Sequence, residues 1–186
     1  MRIISGKLKG RKLFLPKDKA TRPLKDLVKV SIFNLLDHSN ITKKKLENSS
    51  ILDLFSGSGS FGLECLSRGC KTVYFFDNYI EAIKILEKNL SLFKNLKNYK
   101  IFKSDCFKFF NSNAKVNKKF DIIFLDPPYK EKRINQLIEK IIESKILNHD
   151  GIMIIHRHKK DKIEITNKIK IFDVRNYGLS KVYFAN

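Results

Sequence analysis

Asp126-Pro127-Pro128-Tyr129 is the stretch of this chain whose residue types and spacing speak most directly of chemistry. It follows the apolar run FDIIFL at 120–125. An exocyclic amine on a nucleobase is a poor nucleophile, because its lone pair is delocalised into the ring. Two acceptors that take both of its N–H bonds draw that lone pair out of conjugation. The Asp126 carboxylate and the Pro127 carbonyl can supply them. The paired prolines stiffen the loop and remove two competing backbone donors. Tyr129 offers a face on which a base can stack. The competing structural use of the same residues is a turn after a strand, capped locally by Asp126.

A second motif lies upstream. Leu52-Asp53-Leu54-Phe55-Ser56-Gly57-Ser58-Gly59-Ser60-Phe61-Gly62 reads as a strand, a tight loop and the start of a helix. Gly57 and Gly59 let the backbone turn tightly and approach a ligand. The three glycines also fit the spacing of a dinucleotide fingerprint. Asp53, however, would repel a pyrophosphate and suits a ligand carrying an ammonium and a sulfonium. No phosphate-binding lysine follows the loop, so it is not a Walker loop. S-adenosylmethionine fits better than NAD. Asp77 ends the run VYFFD, where an acid can accept from both hydroxyls of a ribose, and Asp105 follows IFKS, where its carboxylate can accept from an adenine amine. Both also suit a helix N-cap. Together the motifs describe in-line transfer of a methyl group from the sulfonium to an amine, by positioning and electrostatics, with no metal. The base must leave its stack to reach such a pocket.

The elements that position these residues alternate. Strands are expected at Ile51–Phe55, Thr72–Asp77, Tyr99–Lys103, Phe120–Leu125 and Gly151–Ile155. Helices are expected after the glycine loop to near Gly69, over Glu81–Phe93, over Cys106–Phe110, and along the stripe Ile134, Leu137, Ile138, Ile141, Ile142. Two further strands, 162–173 and 177–185, lie too close together for a helix between them and predict a terminal antiparallel hairpin. The result is an α/β fold with a mostly parallel sheet and a β-rich C-terminal edge. Ahead of it, residues 2–15 read as a basic β-hairpin. A helix follows, from Leu24 to about Asp37, and then a polar linker at 39–50. Residues 1–45 thus form an extension and 46–186 the main domain.

Charge is concentrated in that extension. The 186-residue chain has 38 basic and 19 acidic residues, a net charge of +19. Residues 1–45 hold 13 basic and 3 acidic residues, so about half the excess sits in the first quarter. Part of the total reflects a lysine-rich composition, with 31 Lys. Its uneven distribution is the footprint of a nucleic-acid-contacting segment. Arg2, Lys7, Lys9, Arg11, Lys12 and Arg22 are the candidate phosphate contacts, Arg22 having the alternative of approaching the cofactor. A hydrophobic content of 42% excludes a disordered chain, and three Cys exclude a disulfide scaffold. With no signal-peptide pattern and no long apolar run, a cytoplasmic protein is expected.

These residues resemble class I S-adenosylmethionine-dependent methyltransferases of the amino-methylating group, and one bacterial family in particular. Arg2-Ile3-Ile4-Ser5-Gly6, Gly10-Arg11-Lys12-Leu13, Arg22-Pro23, Ile32-Phe33-Asn34-Leu35-Leu36, Leu52–Gly69 and Asp126–Tyr129 are similar to the RsmD family. That family methylates the N2 amine of one guanine in 16S ribosomal RNA. The resemblance implies a Rossmann-like methyltransferase sheet, S-adenosylmethionine as cofactor, and small-subunit RNA or an assembly intermediate as partner. It places Asp53, Phe55, Gly57 and Gly59 on the methionine and ribose side, Asp77 at the ribose, Asp105 with Cys106 at the adenine, and Asp126, Pro127, Pro128 and Tyr129 at the guanine. The sequence departs from the family's pattern at Leu24 (usually Thr), Val30 (usually an acid) and His156 (often an acid).

Other residues are quieter. Cys65, Cys70 and Cys106 lack paired metal-ligand spacing and are expected as buried neutral thiols. His156 and His158 share a strand face and are expected to meet RNA or solvent rather than a metal. The main alternative activity is methylation of adenine N6 in DNA or RNA, which the Asp-Pro-Pro-Tyr chemistry permits equally. A chain this short leaves no separate domain for reading a DNA sequence. An NAD-dependent oxidoreductase would leave Asp53 and Asp126–Tyr129 unexplained, and a non-enzymatic RNA-binding factor would leave the whole motif set unused. A monomer is expected.

Overall fold

In the computed structural model, residues 1–17, 24–38, 46–111, 118–161, 163 and 169–186 are described. The chain runs α1 (Asp26–His38), β1 (Ser50–Leu54), α2 (Ser60–Ser67), β2 (Thr72–Asp77), α3 (Ile80–Ser91), β3 (Tyr99–Lys103), α4 (Cys106–Asn111), β4 (Phe120–Leu125), α5 (Ile134–Glu143), β5 (Leu147–His158), β6 (Ile171–Tyr177) and β7 (Ser180–Ala185). The strands form one sheet in the order β3-β2-β1-β4-β5-β7-β6. The first five pair in parallel, and β7 is antiparallel to both β5 and β6.

Alternation along the central strands builds two cores, one on each face. Ile51, Phe75, Ile122, Phe124 and Ile154 pack with α1, α2 and α3. Leu52, Leu54, Phe76, Ile123 and Met153 pack with α4 and α5. This is why β1 and β4 read as continuous apolar runs. On the first face Phe33 of α1, Phe61 of α2 and Phe124 of β4 stack at centroid distances of 5.2 and 4.0 Å. The stack ties α1 to the helix that leaves the glycine loop.

The N-terminal segment differs from its expected hairpin. Its arms do meet: Arg2 and Lys12 form an antiparallel bridge, flanked by Ile3 N–H to the Arg11 carbonyl (3.0 Å), Gly10 N–H to the Ile3 carbonyl (2.9 Å) and Leu13 N–H to the Met1 carbonyl (3.1 Å). Among the described residues, however, the pairing is too short to count as a strand. Four of the backbone donors between the arms go to α2 instead. Ile4 and Ser5 N–H donate to the two Glu64 carboxylate oxygens at 2.7 and 2.9 Å, Lys7 N–H to the Ser67 carbonyl at 2.8 Å, and Leu8 N–H to Ser67 Oγ at 2.9 Å. Lys29 is fully buried and donates to the Arg2 carbonyl (2.7 Å) and Ser60 Oγ (3.2 Å), with Glu64 at 3.9 Å. Burial lowers its pKa, against the pull of Glu64 and Asp26. The extension is thus part of the first core, and Ile3, Leu13, Val28 and Ile32 belong to it.

At the C-terminal edge the hairpin forms, but its arms are β6 from Ile171 and β7 from Ser180, joined through Gly178-Leu179. Residues 162 and 164–168 of the expected first arm lie outside the described residues, as do Arg22 and most of the 39–50 linker. Strand β5 is longer than expected. It begins at Leu147 and continues through His156, Arg157 and His158, because β7 supplies an antiparallel partner as far as the His158–Ser180 pair.

Candidate active site

Strand order reverses between β1 and β4, and the crevice at their carboxyl ends is where an open α/β sheet binds ligands. Asp53, the penultimate residue of β1, lies there, and Asp126 follows β4. The loop between β1 and α2 is closed by its own backbone. Ser56 N–H and Oγ–H both donate to the Phe76 carbonyl at 2.9 Å, and Gly59 N–H donates to the Ser56 carbonyl at 2.8 Å. Gly59 sits at φ 81°, a left-handed conformation that disfavours a Cβ. Gly62 lets α2 lie close on β2, since a Cβ there would be 2.2 Å from the Phe75 ring. Phe55 also adopts positive φ (63°), an uncommon state for an aromatic residue and one that clusters at functional sites.

A small cavity above this loop is lined by Asp53, Phe55, Gly57, Ser58, Leu24 and Pro16, among others. Asp53 is 1% exposed. Its Oδ2 accepts from Gly62 N–H at 3.1 Å, whereas its Oδ1 is buried with no hydrogen-bond partner among the described residues. Burial pushes its pKa well above the ordinary carboxylate value, the Gly62 N–H opposes this, and Asp126 and Asp77 add to the rise. An orphaned buried carboxylate oxygen calls for a cation. The ammonium and sulfonium of S-adenosylmethionine match that demand, and a pyrophosphate does not.

Asp77 anchors the loop from β2. Its Oδ2 accepts from Gly57 N–H at 2.7 Å and its Oδ1 from Tyr79 N–H at 2.8 Å. Burial raises its pKa and these donors oppose the rise. Asp105 Oδ1 accepts from Phe107 N–H at 2.7 Å and so caps α4, with Asn78 Nδ2 at 3.5 Å from its other oxygen. Cys106 follows it, buried, its thiol pushed up to about 12 by burial. Cys70 is likewise pushed up to about 12, and burial raises Cys65 well above its ordinary value. The expectation of neutral buried thiols holds, and no metal-binding cluster occurs among the described residues.

Asp126–Tyr129 is fastened by residues whose role the sequence did not reveal. His156 is buried, and its Nδ1 lies 2.7 Å from Asp126 Oδ1. That corrects the expectation that it meets RNA or solvent: β5 carries it inward beside the loop. The ring of His158 meets the Tyr129 ring edge-on at 5.0 Å, and the Tyr129 hydroxyl lies 3.3 Å from Ser180 Oγ. Arg157 donates to backbone carbonyls of the loop. The available signal was positional: polar residues directly after the apolar run IMII, at the carboxyl end of a strand next to β4. Asn89 was also missed. It is fully buried in α3 and its amide bonds both Phe14 backbone groups (2.8 and 3.1 Å) and the Ser58 carbonyl (2.9 Å), joining the N-terminal segment to the loop.

The basic candidates are spread along that segment. Arg2, Lys7, Lys9, Arg11 and Lys12 are all exposed. Lys7 docks at the C-terminal end of α2, whose eight residues span roughly 12 Å, so it lies at the sheet end opposite the Asp126–Tyr129 loop. Arg11 lines a surface pocket there with Lys7 and Lys94. Arg2 and Lys12 pair nearer the helix start.

Strand order, the antiparallel C-terminal edge and the crevice at β1 and β4 define the Rossmann-like fold of class I S-adenosylmethionine-dependent methyltransferases. The solved structures of yhhF from Escherichia coli (TM-score 0.84, 24% identity, 100% of this chain and 96% of that one) and HI0767 from Haemophilus influenzae (TM-score 0.78, 28%, 99% and 96%) share it. The chain belongs to the family described as Conserved hypothetical protein 95, matched over residues 1–186, which is the RsmD family. It is 34% identical to YlbH of Bacillus subtilis over 98% of this chain and 96% of that one. It is 32% identical to the ribosomal RNA small subunit methyltransferase D of Haemophilus influenzae, over 89% and 82%.

Proposed function

We propose that the protein transfers the methyl group of S-adenosylmethionine to the exocyclic N2 amine of a guanine in 16S ribosomal RNA. The observation that carries this is that Asp53 and Asp126 stand at the carboxyl ends of the neighbouring parallel strands β1 and β4. A buried carboxylate with an orphan oxygen stands ready for a cationic methyl donor, and a hydrogen-bonded carboxylate on a proline-stiffened loop stands ready for an amine. Family membership and the small-subunit methyltransferases among the relatives support the same reading.

In this mechanism the bound cofactor would supply an electrophilic methyl carbon, its S–CH3 bond breaking to leave the neutral thioether S-adenosylhomocysteine. Asp53 would balance its positive charge, Gly57 and Gly59 would let the loop backbone approach it, and Asp77 and Asp105 would hold its nucleoside. Asp126 and the Pro127 carbonyl accept the two N–H bonds of the target amine and leave its lone pair pointing at the methyl carbon. Asp126 then takes the proton released from the methylated nitrogen. Tyr129 stacks on the base, and the exposed basic residues of 1–12 hold RNA phosphates. The same acceptors serve adenine N6, so the base is the point to test.

Small subunits from a strain lacking the gene would be incubated with the protein and methyl-labelled S-adenosylmethionine, and the RNA digested to nucleosides. Label in N2-methylguanosine is expected, with Asp126→Ala reducing it about 100-fold or more. Label in N6-methyladenosine would keep the reaction class and overturn the base. Undiminished labelling by Asp126→Ala would overturn the mechanism.

A further inference from the structure

The Asp126–Tyr129 loop is short in backbone donors. Two of its four residues are prolines and donate no backbone hydrogen bond. Asp126 N–H reaches the Leu54 carbonyl only at 3.4 Å, and the turn closes through Glu131 N–H to the Pro128 carbonyl at 2.9 Å. What the loop offers in abundance is carbonyl oxygens. Arg157 of β5 meets them. Its Nη1 donates to the Pro128 carbonyl at 3.1 Å, and its Nη2 to the carbonyls of Glu131 at 2.9 Å and Tyr129 at 3.4 Å. The guanidinium is buried, its charge balanced by Asp161 at 2.8 Å from Nη2. Successive strand residues leave on opposite faces, so His156 reaches the Asp126 carboxylate from one side while Arg157 takes the carbonyl row from the other.

Resting on the reading of Asp126–Tyr129 as the amine-binding loop, we propose that Arg157 is a positioning residue for methyl transfer. Its planar fork sets the carbonyl row of residues 128–131, and through the rigid prolines the direction of the Pro127 carbonyl and the Asp126 carboxylate at the amine. Its guanidinium is engaged by loop carbonyls and Asp161, so it acts through the loop rather than on cofactor or base. A fixed fork is the right device, because one planar group with several donors imposes relative geometry on several acceptors, which a lysine ammonium does not.

The test compares wild type, Arg157→Ala, Arg157→Lys and Asp126→Ala with labelled S-adenosylmethionine and small subunits lacking the modification. A shift of the reacting groups by about 1 Å costs on the order of 100-fold, so Arg157→Ala should lower kcat by about that factor. Its KM for the subunit and its affinity for S-adenosylhomocysteine should stay within about threefold of wild type, since neither ligand meets Arg157. Arg157→Lys should recover only part of the loss. Millimolar methylguanidinium should raise kcat of Arg157→Ala and leave wild type unchanged. A merely structural arginine would instead lower thermal stability and S-adenosylhomocysteine binding, with kcat per folded molecule intact and no rescue; that result overturns the proposal. If Arg157→Ala does not fold, Arg157→Lys decides, and full kcat in that variant likewise overturns it. Wild-type kcat in Asp126→Ala would show instead that the underlying assignment of the loop is wrong.

Discussion

Replacing Asp53 by Asn should separate stability from binding in opposite directions. Asp53 is 1% exposed, and one of its carboxylate oxygens has no partner among the described residues. Burial raises its pKa well above the ordinary value. The folded state therefore holds this proton to higher pH than the unfolded chain does. Between the two pKa values the folded state binds more protons, so this group lowers stability progressively as pH rises from the unfolded value through the folded one. Below the unfolded value the cost is absent. Asn cannot ionise and keeps an oxygen to accept from Gly62 N–H. Leaving a buried acceptor unsatisfied costs about 1–3 kcal/mol. Relief of even about 1 kcal/mol raises Tm by about 2–4 °C in a chain of this size. The ligand-free variant should thus melt higher at neutral pH, with the gap closing as pH falls. S-adenosylhomocysteine carries the same ammonium. At 100 times its Kd it should stabilise wild type by about 2.7 kcal/mol, or roughly 5–11 °C, and the variant hardly at all. Thermal melts across pH, with and without S-adenosylhomocysteine, read both effects. A full ligand shift in Asp53→Asn, or a lower Tm of the free variant at neutral pH, would refute the assignment of an uncompensated carboxylate awaiting a cation.

Three further outcomes are expected. Gly62→Ala would press a Cβ to 2.2 Å from the Phe75 ring and 2.8 Å from Val73, so it should cost about 1–3 kcal/mol and lower Tm, as calorimetry would measure. Glu64→Ala removes the acceptor for Ile4 N–H, Ser5 N–H and Arg68 Nε and leaves Lys29 buried without its main counter-charge; a loss of about 3–5 kcal/mol is expected, with protease cutting near the N-terminus as a second readout. Substituting Lys7, Lys9 and Arg11 together by Ala should flatten the salt dependence of RNA binding by about 2–3 in log–log slope while leaving the S-adenosylhomocysteine Kd unchanged; an unchanged slope would remove the tip of the segment from the RNA contacts.

Much of the scaffold could be read from local pattern. Five parallel strands and the helices between them follow from apolar runs of strand length and 3.6-residue stripes, because burial on two faces leaves that signature in composition. Asp53, Asp77 and Asp126 were legible for a related reason: an acid at or just before the end of an apolar strand in an alternating chain falls at the ligand-binding end of the sheet. The N-terminal hairpin forms only a short pairing, because the Ile4, Ser5 and Leu8 donors go to Glu64 and Ser67, residues some sixty positions away that no local pattern can connect to it. Asn89 is hidden for the same reason, as one polar residue in an amphipathic helix whose amide meets two distant backbone segments.

The sequence by itself determined which chemical groups stand at the strand ends and the order in which they come, since both follow from periodicity and from the few residue types able to activate an amine or balance a sulfonium. Only the tertiary structure decided what holds them in place. That His156 and Arg157 grip Asp126–Tyr129 from opposite faces depends on β5 running on past Ile155, and β5 does so because β7 pairs with it to Ser180. A strand's length is set by its partner, and the partner of β5 lies more than twenty residues further along the chain.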